Sequence, residues 1–155
     1  MAKAIPEGYH SVTPYLVVDG AAKALDFYKK AFGATEVMRM EDQNGRIGHA
    51  EMKIGNSHVM LADESPEMGY RGPSAYGGAA VSLMVYLDDV DATFKRSLAT
   101  GAQELRPLQD QFYGDRSGTL KDPFGHVWTI ATHVEDVPPE EMERRAREYF
   151  EKQGS

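Results

Sequence analysis

The hydrophobic and polar positions of the chain follow two periods, and these periods succeed one another in the same order twice. Apolar residues at helical spacing predict helices over Ala21–Phe32 and Val90–Ala99. Around them, β-branched and aromatic residues favour extended chain. The predicted strands are Tyr9–Val18, Glu36–Glu41, Ile47–Ile54, Ser57–Ala62, Val81–Leu87, Gln103–Pro107, Gly118–Lys121 and His126–Thr132. Each half of the chain therefore has the order strand, helix, strand, strand, strand.

The residues at the ends of the two helices repeat as well. Asp19 and Asp88-Asp89 are predicted N-caps, and Gly33 and Gly101 are predicted to end the helices. A sheet with a helix on one face leaves its other face to be covered. We therefore predict an α+β fold in which two βαβββ modules form a cupped mixed β-sheet cavity, followed by a C-terminal helix.

Proline and glycine residues divide the chain into segments. We expect one domain over residues 8–134, made of a module at 8–64 and a module at 79–134. The stretch 65–78 between them is rich in proline and glycine, so it is predicted to be a linker. This linker would either cover the mouth of the cavity or only connect the modules. The tail 135–155 is predicted to be a charged helix.

The composition excludes several classes of function. The 155 residues carry a formal net charge of -7 at pH 7, which disfavours a nucleic-acid partner because phosphate binding needs a basic surface. The sequence has no cysteine, which excludes disulfides and thiolate metal ligands and is compatible with a reducing cytoplasm. No apolar run approaches about 18 residues, and the first residues lack the apolar segment of a signal peptide. We expect a cytoplasmic protein without a membrane partner.

Several motifs give the chain a family resemblance. With its paired βαβββ modules and an Asp-Pro-x-Gly turn before the last strand, the chain resembles the vicinal oxygen chelate superfamily, and most closely the PhnB-like glyoxalase/bleomycin resistance proteins. The motifs that carry the resemblance are Asp26-Phe27-Tyr28-x-x-Ala31-Phe32-Gly33, Gly48-His49-Ala50-Glu51, Met60-Leu61-Ala62-Asp63-Glu64, Asp88-Asp89-Val90-Asp91, Tyr113-Gly114-Asp115-Arg116, Asp122-Pro123-Phe124-Gly125-His126 and Ala131-Thr132-His133-Val134-Glu135-Asp136-Val137.

The resemblance also locates four positions that hold a metal in other members. Metal enzymes of the superfamily place ligands on the first and last strands of each module, which implies Thr13, Leu61, Ser82 and Thr129 in this sequence. Transition metals prefer imidazole and carboxylate ligands, and none of these four residues supplies one. We therefore expect no metal at the usual place. This argues against glyoxalase or dioxygenase activity, because that chemistry depends on a metal's Lewis acidity. Whether the protein is an enzyme is left open by the sequence.

Two groups of residues are candidates for ligand binding at the cavity. His49 and Glu51 alternate on one strand and share a face, where they would bind a metal, act as acid and base, or form a structural pair. Tyr15, Met84 and Tyr86 share the strand parity of Thr13 and Ser82, so they are predicted to line the cavity.

A polar segment before the Asp-Pro turn supplies the other candidates. Tyr113 offers a flat stacking face, Arg116 a fork suited to an anionic group, and Asp115 a carboxylate. The alternative is an Asp-Arg ion pair that fixes a bulge. Gly114, between the aromatic residue and the acid, indicates such a bulge or a close backbone approach.

Three functional interpretations follow from the resemblance and these residues. The leading one is a metal-free protein, likened to antibiotic-binding relatives, that holds a small aromatic or anionic organic ligand and forms a homodimer. The first alternative is a metal-dependent lyase, isomerase or dioxygenase with a divalent metal at a shifted site around His49 and Glu51. The second alternative is a scaffold whose cavity is filled by its own side chains. The sequence does not name the ligand.

Overall fold

A computed structural model describes residues 1–154, and Ser155, the last residue of the predicted tail, lies outside them. The strands are β1 (Tyr15–Val18), β2 (Thr35–Glu41), β3 (Ile47–Ile54), β4 (Ser57–Asp63), β5 (Ser82–Tyr86), β6 (Gln103–Asp110), β7 (Asp115–Lys121) and β8 (Val127–His133). The α-helices are α1 (Ala21–Phe32), α2 (Val90–Thr100) and α3 (Pro139–Gln153). None of the helices in the described part combines the length and apolar character that a membrane crossing requires.

The strands form two four-stranded sheets of the same design. The first sheet has the order β1-β4-β3-β2 and the second the order β5-β8-β7-β6. In each sheet the first strand runs parallel to its neighbour, while the other pairs are antiparallel. The prediction of two βαβββ modules, mixed sheets and a C-terminal helix is confirmed.

The helix ends are capped partly as the sequence indicates. Asp89 accepts a hydrogen bond from the backbone N–H of Ala92, as an N-cap residue does. The predicted cap of α1 was wrong, because the N-cap position belongs to Gly20, which has no side chain. Asp63, at the end of β4, takes over this role: its Oδ1 accepts from the N–H groups of Gly20 and Ala21 at 2.9 and 2.7 Å.

One hydrophobic core joins the two modules through their helices. Helix α1 places Tyr28 and Phe32 against Trp128 of β8, with ring centroids 5.4 and 5.0 Å away. All three side chains are buried. Helices α1 and α2 also pack on each other. Because the helix-bearing faces of both sheets meet this core, the opposite faces point away from it.

A buried carboxylate links the modules at the centre of this core. Asp122, in the Asp-Pro-x-Gly turn, is 2% exposed. Its Oδ2 accepts from the phenol of Tyr28 at 2.5 Å and the indole N–H of Trp128 at 2.8 Å, and its Oδ1 accepts from the backbone N–H groups of Phe124 and His126. Burial and the adjacent Asp122 raise the pKa of Tyr28 well above its usual value. The phenol therefore remains a donor.

Candidate functional site

The face of each sheet that carries no helix is here called its open face. In β1, Leu16 and Val18 are buried toward α1, so Tyr15 and Val17 lie on the open face. A cavity of about 710 Å³ lies there. Ser65 and Tyr70 pair as a β-bridge, which folds residues 65–70 of the linker into a short hairpin. Residues of this hairpin line the cavity and cover part of it. The predicted linker thus forms one wall of a cavity in the first module.

Half-exposed aromatic and thioether side chains dominate the apolar lining of this cavity. Tyr15 and Met40 come from the sheet, and Met68 and Tyr70 come from the linker hairpin. Their exposed fractions lie between 47% and 71%, which is high for large apolar side chains. Such side chains offer flat and deformable contact area to an organic molecule of matching size. The volume lies in the range of pockets for drug-sized ligands.

Next to the cavity, three polar side chains form a hydrogen-bonded chain on the first open face. The phenol oxygen of Tyr15 lies 2.8 Å from Nδ1 of His49, and Nε2 of His49 lies 3.1 Å from Oε2 of Glu51. Partial burial raises the pKa of Tyr15, so its phenol stays protonated and can donate to Nδ1 of His49. The structure therefore brings three of the candidate residues together in an arrangement suited to proton transfer.

The second open face carries its own polar cluster at the end of β8. The carboxylate of Asp115 is buried, and it accepts from the phenol of Tyr86 at 2.8 Å and from Nδ1 of His133 at 2.8 Å. The other nitrogen of His133 lies 2.7 Å from Oδ1 of Asp136. The hydrogen bond to Asp115 raises the pKa of Tyr86, because the carboxylate favours the protonated phenol. Sequence reasoning missed His133 as a site residue, because only the register of β7 and β8 pairs it with Asp115.

The imidazole of His133 is expected to titrate above its usual range. Hydrogen bonds first to Asp115 and then to Asp136 raise its pKa. Because the folded-state pKa is raised, the contribution of His133 to stability is full below its unfolded pKa and is lost as the pH rises through the folded value. We expect an NMR titration to show that Asp115→Asn lowers the pKa of His133 more than Asp136→Asn does. Equal effects of the two variants would contradict this order of causes.

Arg116 lies outside both open faces, which corrects its predicted role. Its side chain points toward α2, where Nε and Nη2 donate to the carboxylate of Asp91 at 2.9 Å and Nη1 donates to Asp110 at 3.3 Å. Neighbouring residues on a strand face opposite sides, and Asp115 takes the open side. The Asp-Arg ion pair that the sequence offered as an alternative is present, but its acids are Asp91 and Asp110.

The remaining candidates lie apart from the cavity. Met84 and Tyr86 line a groove of about 370 Å³ between β5 and residues 54–59 of the first module. Tyr113 packs its ring edge against Phe112, with centroids 5.3 Å apart. The structure thus gathers Tyr15, His49 and Glu51 at one place, and Tyr86 and Asp115 at another.

The positions that the resemblance assigns to metal ligands do not offer a suitable donor set. The pairing of β1 with β4 sets Tyr15 beside Met60, and the pairing of β5 with β8 sets Met84 beside Thr129. Met60 is therefore the counterpart of Thr129. The prediction of Leu61 was wrong by one residue, and Leu61 is buried on the helix side.

The corrected set consists of hydroxyls and a thioether: Thr13, Met60, Ser82 and Thr129. Hard or borderline divalent metals bind such groups poorly without carboxylate or imidazole partners. Within residues 1–154 no three His, Asp or Glu side chains converge in a way that would hold a metal ion. His49 and Glu51 supply two donors, which is fewer than the three protein ligands of typical zinc sites.

The fold and the sequence place the chain in a known class of proteins with paired βαβββ modules. The family model described as Glyoxalase/Bleomycin resistance protein/Dioxygenase superfamily matches residues 8–130. The chain belongs to this superfamily. It is 42% identical over 136 residues to the uncharacterized protein Rv0887c of Mycobacterium tuberculosis, a match that covers 86% of this chain and 80% of that protein.

Solved structures of the same class superpose on most of the chain. TioX from Micromonospora sp. ML1 is 28% identical, covers 83% of this chain with all of its own, and gives a TM-score of 0.63. A PhnB protein from Bacillus cereus is 22% identical, matches 79% of this chain with 99% of its own, and also gives a TM-score of 0.63. The latter likeness concerns the fold alone.

Proposed function

We propose that this protein binds a small aromatic organic molecule in the cavity of its first module, without a metal. The observation that carries the proposal is the half-exposed lining of Tyr15, Met40, Met68 and Tyr70 beneath the linker hairpin. A monomer in water gains nothing from leaving these side chains exposed together, whereas a flat ligand would bury them. The poor donor set at the usual metal positions supports a metal-free mode of binding.

The assembly that we propose is a homodimer. Large apolar side chains also remain exposed on the second open face, where Met84 and Tyr86 are 47% and 58% exposed. A second copy that covers these faces would close the cavity further and bury them. The absence of cysteine from the sequence is compatible with a reducing cytoplasm, and a cytoplasmic location stays a prediction.

Replacing Tyr15 by alanine is expected to weaken the binding of a neutral aromatic probe, 2-naphthalenemethanol, by about tenfold. The change removes the ring that the sheet contributes to the cavity, and an aromatic contact with its buried area contributes about 1 to 2 kcal/mol. Isothermal titration calorimetry in the presence of EDTA measures the dissociation constant and tests the metal-free mode at once.

The matched control is Tyr76→Ala. Tyr76 is an exposed tyrosine like Tyr15, but it lies in the linker and is not among the residues that line the cavity. We expect this variant to bind the probe as the unchanged protein does. Equal losses for Tyr15→Ala and Tyr76→Ala, or binding that disappears with EDTA, would contradict the proposal.

A second candidate function is proton-transfer catalysis by Tyr15, His49 and Glu51. The hydrogen-bonded order of the three side chains favours it, since His49 lies between the phenol of Tyr15 and the carboxylate of Glu51. Tyr15→Phe separates this function from binding, because it keeps the ring and removes the hydroxyl. The scaffold interpretation is less well supported, because the cavity is open rather than filled by side chains.

A further inference from the structure

The lining of the cavity in the first module carries mainly negative charge. Its lining includes five carboxylates and one guanidinium among the described residues. The acids are Glu41, Asp42, Asp63, Glu64 and Glu67, and the base is Arg46. The whole chain also carries a formal net charge of -7. A ligand that enters this cavity therefore meets a negative potential.

Most of these carboxylates bond to neutral groups, which do not cancel their charge. Oδ1 of Asp42 accepts from the backbone N–H groups of Asn44 and Arg46 at 2.8 and 3.0 Å. Oε1 of Glu64 accepts from the backbone N–H of Gly72 at 2.9 Å. Backbone N–H groups carry no net charge, so these hydrogen bonds place no cation beside the carboxylates.

Asp63 and Glu67 follow the same pattern on two sides of the cavity. Oδ2 of Asp63 accepts from the N–H of Ile47 at 2.7 Å, and its Oδ1 caps α1, whose N-terminal dipole offsets part of the charge. Glu67 accepts from the hydroxyl of Ser65 at 2.8 Å. Backbone and hydroxyl hydrogen bonds lower the pKa of Glu67, so it stays charged.

The cations Arg46 and Arg39 do not reverse the net negative charge of the cavity. The guanidinium of Arg46 donates to the backbone carbonyl oxygen of Glu64. Arg39 lies 3.3 Å from Glu41 and is held more closely by Glu36, at 2.7 Å. A carboxylate or phosphate on a ligand would therefore face five acids and a single base, Arg46, among the lining residues. This departs from the anionic ligand that Arg116 suggested in the sequence.

We infer that the ligand of this cavity is an organic cation, with a protonated amine or quaternary nitrogen on an aromatic framework. The inference rests on the proposed function and names its ligand class. Tyr15 and Tyr70 are among the lining residues, and the faces of aromatic rings attract cations. The thioethers of Met40 and Met68 accommodate the apolar part. The five carboxylates of the lining favour a cationic ligand over a neutral or anionic one.

A matched series of three probes on one ring system tests this inference. The probes are 2-naphthylmethylammonium, 2-naphthalenemethanol and 2-naphthoate, which differ mainly in charge. At low ionic strength we expect the ammonium to bind about fivefold tighter than the alcohol and the carboxylate to bind at least about fivefold more weakly. Added salt should bring the three affinities together, because the charges of the lining lie in reach of solvent.

Charge variants locate the source of the selectivity. Glu67→Gln should lower the affinity for the ammonium probe about twofold relative to that for the alcohol. Glu41→Gln together with Glu67→Gln should weaken the ammonium about fourfold. The matched control is Glu143→Gln on α3, which changes the net charge by the same amount away from the cavity.

The outcomes separate the inference from the function on which it rests. If the alcohol and the ammonium bind equally, or the naphthoate binds most tightly, the cavity binds aromatic molecules and the cation preference is overturned. If none of the three probes binds, the proposed function is overturned and the inference with it. If Glu143→Gln acts as strongly as Glu67→Gln, the selectivity comes from net charge and the assignment to this cavity is overturned.

Discussion

Asp122→Ala is expected to lower the free energy of unfolding by about 4 kcal/mol, because it removes an acceptor that serves four donors in the core. The phenol of Tyr28 and the indole N–H of Trp128 would both lose their hydrogen-bond acceptor in the buried core, where water does not replace it. The two backbone N–H groups of the turn would lose theirs as well. Urea denaturation followed by tryptophan fluorescence measures the change, since Trp128 is at the site.

Two tyrosine variants serve as controls for Asp122. Tyr28→Phe removes one of the four hydrogen bonds and is expected to cost about 1 kcal/mol. Tyr76→Phe removes a hydroxyl from an exposed side chain and is expected to change stability by less than about 0.5 kcal/mol. A loss for Asp122→Ala no larger than that of Tyr28→Phe would show that the carboxylate does not hold the two modules together.

Gly114→Ala is expected to lower the free energy of unfolding by about 3 kcal/mol. Gly114 has a φ of 102°, and a β-carbon at this position would lie 2.1 Å from the carbonyl oxygen of Glu135. The segment cannot retreat easily, because the N–H groups of Val134 and Glu135 both donate to the carbonyl oxygen of Gly114. The cost combines left-handed backbone strain with a direct overlap. Thermal and chemical denaturation both measure it.

Gly45→Ala separates these two contributions. Gly45 has a φ of 80°, and a β-carbon there would meet no atom within 4 Å. It is therefore expected to cost only the backbone strain, about 1 kcal/mol. Similar losses at Gly45 and Gly114 would remove the close approach to Glu135 as a cause.

Local patterns in the sequence predicted most of the fold. The predicted bounds of α1, Ala21–Phe32, agree with the structure, because its apolar spacing and its terminal glycine are encoded within the segment itself. The first strand was predicted to begin at Tyr9 but begins at Tyr15. Residues before Tyr15 have strand-like composition, but the pairing with β4 begins at Tyr15, and Pro14 before it contributes only its carbonyl oxygen, which accepts from the N–H of Met60. Pairing, rather than propensity, decided where this strand begins.

Contacts between distant residues explain what the sequence did not reveal. The acid that caps α1 is Asp63, which follows Gly20 by 43 positions, so no local pattern points to it. The error at Leu61 arose from the turns. Two residues separate β3 from β4, whereas five residues, 122–126, separate β7 from β8, so matching His58 with His126 shifts the register by one. A shift of one residue moves a side chain to the other face.

The candidate site also consists of relations that the sequence predicted and relations that it did not. Strand parity correctly grouped His49 with Glu51 on one face, because alternation is a local property. The partnership of Tyr15 with His49 depends on β4 lying between their strands, and His133 meets Asp115 through the register of β7 and β8. These two contacts depend on the order and register of the strands in each sheet. The sequence alone showed the individual residues but not that they meet.

The bond between Tyr28 and Asp122 bears on the duplicated plan of the chain. The first half supplies the phenol and the second half supplies the acid and the indole, so each half lacks what the other contributes. Two identical halves would make this bond twice, but α2 carries Ser97 at the place of Tyr28, and the turn between β3 and β4 consists of Gly55 and Asn56. The chain has thus kept the symmetry of its backbone while its halves have become complementary, and neither can replace the other.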